Sequence, residues 1–171
     1  NRGIFYLHGQ SRTGKTFGVL RKWGDKNVSL IGNLYEGMNM DRYQNTPVMV
    51  LDEFYSQFKL DTVLGILDDK LTELDCRYLN RLNLTHTIVL TSNWEFDKQY
   101  NKARTENPIA YKAFKNRFTG GSWELWRGTN GIRYLACEWG YNPKYGAPID
   151  IFDTSVRVVS VEQLKKLKQL D

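Results

Sequence analysis

Histidine and cysteine are scarce in this chain of 171 residues: each occurs only twice, as His8 and His86 and as Cys76 and Cys137. Two histidines far apart in sequence exclude a histidine-based metal centre or a His-x-His nicking site from this segment. Two cysteines outside any C-x-x-C spacing are too few for a disulfide framework and read as free thiols in a reducing compartment. No apolar run is long enough to cross a bilayer, and the N-terminus lacks the layout of a signal peptide. Repeats and low-complexity tracts are also missing. The chain opens on Asn1 rather than Met and runs almost at once into a strand-like segment, so it reads as a fragment of a longer protein.

What is present suits one domain with a full core. Hydrophobic residues make up 41% and charged residues 25%, the proportions of an ordinary globular chain. The net charge of +5 fits a polyanionic partner, and equally an ordinary basic surface.

The most informative stretch is "HGQSRTGKT", residues 8–16. Gly9, four residues, Gly14, Lys15 and Thr16 follow the phosphate-loop spacing G-x-x-x-x-G-K-[ST]. Backbone N–H groups of Gly9, Gln10, Ser11, Arg12, Thr13 and Gly14 would converge on a polyphosphate, with glycine where a side chain would crowd its approach. The helix that follows adds its unpaired N–H groups and the positive end of its dipole. Lys15 would reach the β and γ phosphates of ATP, and the Thr16 hydroxyl would bind Mg²⁺. The flanks agree: "GIFYL" before the loop suits a buried strand, and "KTFGVLRKW" after it suits an amphipathic helix.

Further along, "VSLIG" (28–32), "VMVLDEF" (48–54) and "THTIVLTSN" (85–93) read as buried strands, the middle one ending in two acids. Leu60, Val63, Leu64 and Leu67 have helical spacing, and residues 107–118 read as a helix capped by Asn107 with Pro108 in its first turn. "DCRYLNRLNL" reads as a hairpin with Arg77 and Arg81 near its tip. "SWELWRGTNGIRYL" alternates on both sides of a turn and gives a second hairpin. The tail "SVEQLKKLKQL" reads as a short helix with a solvated lysine face. Strands alternating with helices imply an α/β fold with a mostly parallel sheet flanked by helices, in which ligands sit beyond the carboxyl ends of the strands.

The residues at those ends are chemically matched. Asp52 can hold Mg²⁺, while Glu53 can orient and polarise an attacking water. Elsewhere such a pair is simply a surface turn. Asn93 can hydrogen-bond both a γ-phosphate and the water, or merely cap a turn. Arg117 suits an arginine finger reaching a neighbouring molecule's phosphate, or an ordinary surface arginine. Arg77 and Arg81 with Tyr78 between them suit a stacking contact to single-stranded nucleic acid, although Tyr78 serves equally in a core. Trp94 and Trp123 read as packing residues.

Together, "GQSRTGKT", "VMVLDEFYSQF", "CRYLNR" and "IVLTSN" resemble a superfamily 3 helicase, from about residue 3 to 126. The likeness is to the ATPase domain of Rep replication initiators from circular single-stranded DNA viruses and related bacterial plasmids. It implies a P-loop NTPase with an AAA+-like sheet over residues 1–140, followed by an extension, 141–171, of unassigned role. It also implies a homo-oligomer, typically a hexamer, moving 3′-to-5′ on single-stranded DNA with ATP and Mg²⁺. By motif, Lys15 and Thr16 fall in Walker A, Asp52 and Glu53 in Walker B, and Asn93 at the sensor position. Arg77, Tyr78, Asn80 and Arg81 fall in the DNA-contacting hairpin. Arg117 falls in "AFKNRF", where Asn116 replaces the first arginine of the family's A-x-x-R-R-I. The hairpin lacks the paired glycines of the viral branch, and no Trp-rich stretch precedes Walker B, which leans toward the plasmid branch. An N-terminal nicking domain is implied for the full-length protein, no membrane association, and a cytoplasmic (plasmid) or host-nuclear (viral) location.

Four alternatives share the phosphate-loop spacing. A GTPase needs a guanine-reading N-K-x-D, which "TSNW" does not supply. A small-molecule kinase needs neither a sensor asparagine nor an arginine from a neighbour. A nucleic-acid-binding module using nucleotide only as a structural ligand, and an RNA helicase of the same superfamily, differ in turnover and in substrate.

Overall fold

The computed structural model of the chain describes residues 2–32, 43–68, 73–74, 81–145, 152 and 155–171. The first strand, β1 (Gly3–His8), leads through the loop of residues 9–14 into α1 (Lys15–Trp23), and β2 (Val28–Ile31) follows. Next come β3 (Val48–Leu51) and α2 (Leu60–Ile66), then the paired two-residue strands β4 (Glu73–Leu74) and β5 (Arg81–Leu82). Beyond β6 (Thr87–Ser92) lie α3 (Asn101–Glu106) and α4 (Pro108–Asn116). The chain closes with β7 (Gly121–Arg127), β8 (Arg133–Trp139), β9 (Val156–Val159) and α5 (Val161–Leu170).

Seven of these strands form one sheet in the order β2-β3-β6-β1-β7-β8-β9. Neighbours from β2 to β7 are parallel, whereas β8 returns antiparallel to β7 and β9 runs parallel to β8. The α/β architecture with a mostly parallel sheet is therefore as the sequence implies. Alternation along buried strands assigns residues to faces. Ile4, Tyr6, Met49, Leu51, Ile88 and Leu90 pack with α2 and α4 on one side. Phe5, Leu7, Val48, Val50 and Val89 pack with Val19 of α1 and with Phe152 on the other. Strands covered on both faces need apolar residues at every position, which is why β3 reads V-M-V-L without alternation.

Phe96 is the hub of the first layer, edge-on to Tyr6, Phe118 and Trp139 and stacked on Phe114, with centroids 4.8–5.3 Å away. It fixes the segment after β6 under the sheet. The Asn107 side chain caps α4 as expected, accepting from the Ala110 N–H at 3.3 Å, and the helix ends at Asn116 rather than 118. The residues beyond 140 supply β9 at the sheet edge and α5, whose Leu164 packs on Tyr134 and Ala136. A capping box at Ser160 and Gln163 starts α5. Among the described residues, no helix is long and apolar enough to cross a membrane.

Candidate functional site

Because β1, β3 and β6 are parallel, their carboxyl ends deliver the loop of residues 9–14, the pair Asp52–Glu53 and Asn93 to one edge of the sheet. The order within the sheet matters. β6 lies between β1 and β3, so Asn93 emerges between Lys15 and the two acids. A cleft of about 380 Å³ opens there, lined by residues from all three ends.

The loop has two glycine-dependent points. At Gly9 a Cβ would overlap the Leu125 carbonyl oxygen of the neighbouring β7. Gly14 has φ 84°, a left-handed conformation in which an added Cβ would stand 2.8 Å from the Arg133 guanidinium. Gly14 is also the N-cap of α1, where it supplies no side-chain cap, and the first turn holds no acid. A lysine, Lys15, instead opens the helix. A cation at the positive end of a helix dipole with no capping oxygen is unfavourable unless an anion is supplied. The local sequence is thus poor as a helix start and good as an anion cradle.

Lys15 Nζ donates to the carbonyl oxygens of Gly9 (2.9 Å) and Gln10 (2.8 Å) and to Asn93 Oδ1 (3.1 Å). All three ammonium protons are thereby used, two by the loop and one by Asn93. Burial lowers the Lys15 pKa below the ordinary lysine value, against the opposing pull of Asp52 and Glu53. Thr16 Oγ1 donates to Asp52 Oδ1 at 2.5 Å, and Thr91 Oγ1 donates to the same oxygen at 2.6 Å. Thr91 Oγ1 also accepts from the Glu53 N–H at 3.3 Å. Glu53 itself is left-handed, φ 54°, an uncommon state for a side-chain-bearing residue. The Thr16 hydroxyl beside an aligned Asp52 carboxylate is a pair of hard oxygen donors that fits Mg²⁺, which takes one or two protein oxygens and completes its shell from phosphate and water. Among the described residues no cluster of three or more His, Cys, Asp or Glu could hold a metal alone.

Several residues beyond those expected line the cleft or lie beside it. Tyr55 lines it, and its hydroxyl accepts from Asn93 Nδ2 at 3.3 Å. Trp94, expected to be packed, is 37% exposed and stands edge-on to Tyr55 at 5.3 Å. Phe17 lines the cleft and is 59% exposed. Just under the loop, His8 Nε2 and Glu138 Oε1 are 2.5 Å apart, tying the residue before Gly9 to β8. Only the position of Phe17, next to Thr16, was open to sequence reasoning. Trp123 is buried as expected and donates to the Gly120 carbonyl at 2.9 Å.

Arg117 is not in this cleft. It follows α4 and precedes β7, near the amino ends of the strands, where the Gly120 N–H bonds the Ile4 carbonyl. From Ile4 to His8, β1 alone spans about 13 Å. Arg117 lines a second cleft of about 400 Å³ with Arg2, Asp68 and Tyr145, and its Nε is buried without a hydrogen-bond partner among the described residues. Of the expected nucleic-acid contacts, Arg77, Tyr78 and Asn80 lie outside the described residues, as does Cys76, and Arg81 is described only as backbone in β5. The pairing of β4 with β5 supplies the hairpin stem.

No protein-family model matches the chain, and no curated protein matches it.

Proposed function

We propose that the chain is the ATP-hydrolysing motor domain of a rolling-circle replication initiator, a superfamily 3 helicase working as a ring on single-stranded DNA. The observation that carries this reading is the bridge at Asp52. A single carboxylate oxygen accepts from the hydroxyl of the phosphate-loop threonine and from Thr91, with Glu53 next in sequence and Lys15 bound to Asn93 across the cleft. Polyphosphate hydrolysis needs those groups in that arrangement: a cation for the β and γ phosphates, a hydroxyl–carboxylate pair, a carboxylate base and an amide beside it.

In the mechanism, Lys15 exchanges its loop carbonyls for phosphate oxygens, and negative phosphate beside it restores the proton affinity that burial removes. Thr16 and Asp52 would hold Mg²⁺, which when bound neutralises charge on the phosphates. Glu53 accepts hydrogen bonds from the attacking water and takes its proton. Asn93, on the strand between, orients that water. Arg117, at the other end of the sheet, serves the site of a neighbouring copy, which makes hydrolysis dependent on assembly. The order β2-β3-β6-β1-β7, with the Asn93 strand inserted between those of the loop and the acids, supports an AAA+-like ring ATPase over a simple kinase.

The test is ATP hydrolysis against protein concentration, with and without single-stranded DNA, for the parent chain and for Lys15→Ala, Glu53→Gln and Arg117→Ala. Expected are turnover that rises faster than linearly with concentration, stimulation by DNA, and loss in all three variants, with Glu53→Gln still binding ATP. Turnover independent of DNA and concentration, with Arg117→Ala unaffected, overturns the helicase reading. RNA in place of DNA separates the two helicase substrates.

A further inference from the structure

Gln99 has no exposed surface, yet its side chain is polar and sits in the most aromatic part of the core, beside Tyr6, Phe54 and Phe96. A position filled only for packing there would hold Leu or Met, since a buried amide is costly unless its hydrogen bonds are met. Those of Gln99 are met, by partners on β1, on β6 and just after β3. Its Nε2 lies within donating distance of the Tyr6 hydroxyl (2.9 Å), the Phe54 carbonyl (2.8 Å) and Ser92 Oγ (3.1 Å). Its Oε1 accepts from Ser56 Oγ at 2.6 Å. Two of these partners extend the reach: the Tyr6 hydroxyl donates to the Trp94 carbonyl at 2.7 Å, and Ser92 Oγ accepts from the Trp94 N–H at 3.0 Å.

The restrained residues flank the cleft chemistry on both sides. Phe54 follows Glu53, while Ser92 and Trp94 bracket Asn93. The loop after β3 is also strained, with Glu53 at φ 54° and Ser56 at φ 56°. Such backbone persists only where its surroundings over-determine it, and Gln99 grips the loop at Phe54 and Ser56. We propose that Gln99 is a positioning residue that clamps the loop after β3 to the loop after β6, fixing the Glu53 carboxylate against the Asn93 amide across the cleft. The inference rests on the cleft being a nucleotide-hydrolysing site. Only an amide does this, because it offers two donors and an acceptor in one uncharged side chain. The tyrosines around it stay neutral, since burial pushes the Tyr6 and Tyr100 hydroxyls well above the ordinary tyrosine value.

Two near-isosteric variants of the whole chain test the clamp. Gln99→Met keeps volume and loses every hydrogen bond; Gln99→Glu keeps the acceptor and regains one donor only when protonated. Gln99→Met is expected to lose turnover on the order of 10²-fold, the effect of a misplacement near 1 Å, with ATP affinity within about twofold of the parent because the loop around Lys15 is untouched. Gln99→Glu is expected to recover turnover relative to Gln99→Met as pH falls, a signature that loss of packing does not produce. Amide hydrogen exchange without nucleotide provides an arm independent of activity. Residues 53–57 and 92–95 should exchange faster in Gln99→Met while residues 15–18 do not change. Parent-like exchange in both loops, or uniformly faster exchange everywhere, overturns the clamp, as does turnover of Gln99→Met within twofold of the parent. A parent chain that hydrolyses no nucleotide under any condition overturns the proposed function instead, and the exchange result then decides the clamp alone.

Discussion

Thr91→Val removes one hydroxyl and almost nothing else, and the consequences can be worked from the contacts it makes. Thr91 is 1% exposed, so its hydroxyl has no water to turn to. It donates to Asp52 Oδ1 at 2.6 Å, a charge-assisted bond worth about 1.5–3 kcal/mol. It accepts from the Glu53 N–H at 3.3 Å, a long contact worth roughly 0.5 kcal/mol. The added methyl recovers about 0.8 kcal/mol if it packs. The net loss is about 2 kcal/mol, which for a chain of this size lowers Tm by roughly 4–8 °C. The same change frees Asp52 to rotate away from Thr16, so ATP binding in Mg²⁺ should weaken by about tenfold while binding in EDTA is unchanged. Thermal unfolding followed by circular dichroism gives the first quantity, and calorimetric titration with and without Mg²⁺ gives the second. A Tm within 1 °C of the parent would refute the strength assigned to the Asp52 bridge. A tenfold loss that persists in EDTA would place Thr91 in phosphate binding instead.

Two further outcomes depend on pH. Burial lowers the pKa of Lys15 in the free protein; on the proposed reading the phosphates of ATP bind its charged form, so affinity should be complete below that lowered value and fall as pH rises through it. Calorimetry in two buffers of different ionisation enthalpy should show proton uptake on ATP binding at alkaline pH, and none in Lys15→Ala. Burial raises the Glu138 pKa, but the hydrogen bond and charge of His8, the Ser122 hydroxyl and Lys168 together outweigh it, so the net shift is downward. A depressed carboxyl contributes stability above its unfolded value, about 4.3, and that contribution is lost as pH falls through the folded value. Urea unfolding from pH 6 to pH 3 should therefore show an acid-side loss that Glu138→Gln lacks; identical slopes in the two proteins would refute the pairing with His8.

How much of this was legible depended on the range of the forces involved. The phosphate-loop spacing is legible because a polyphosphate's approach to the backbone sets it, although the atoms a Cβ would meet at Gly9 and Gly14, the Leu125 carbonyl and the Arg133 guanidinium, are distant in sequence. The buried strands are legible for a related reason, since burial on both faces writes itself as uninterrupted apolar runs such as V-M-V-L. The helix α3 carries no such record. Its residues, Asn101–Glu106, bury nothing fully, so no apolar period marks them. Strand β9 leaves little trace because it is four residues at the sheet edge, with Arg157 and Val158 exposed. Trp94 departs from the packed place usual for tryptophan because its partner is Tyr55, a partly exposed residue lining the cleft.

Two residues that sequence reasoning does not reach, His8 and Gln99, touch other side chains rather than line the cleft. His8 meets Glu138 across 130 positions, and Gln99 meets Tyr6 across 93. Neither spacing carries any period, and nothing in "FDKQY" marks a buried amide, because Lys and Gln ordinarily face water. What distinguishes Gln99 from a loop glutamine is the anchoring of its neighbour Phe96 between Tyr6 and Phe114, which draws the segment beneath the sheet and carries the amide with it. Motif positions follow from what the ligand requires, and they can be read in one dimension. Positioning residues follow from where the core happens to pull the chain, so they become visible only once the aromatic packing is known. The strain at Glu53 belongs to the second kind: nothing in "LDEF" demands a left-handed glutamate, and the loop holds that conformation because Thr91, Gln57 and Gln99 grip the backbone at and beside it.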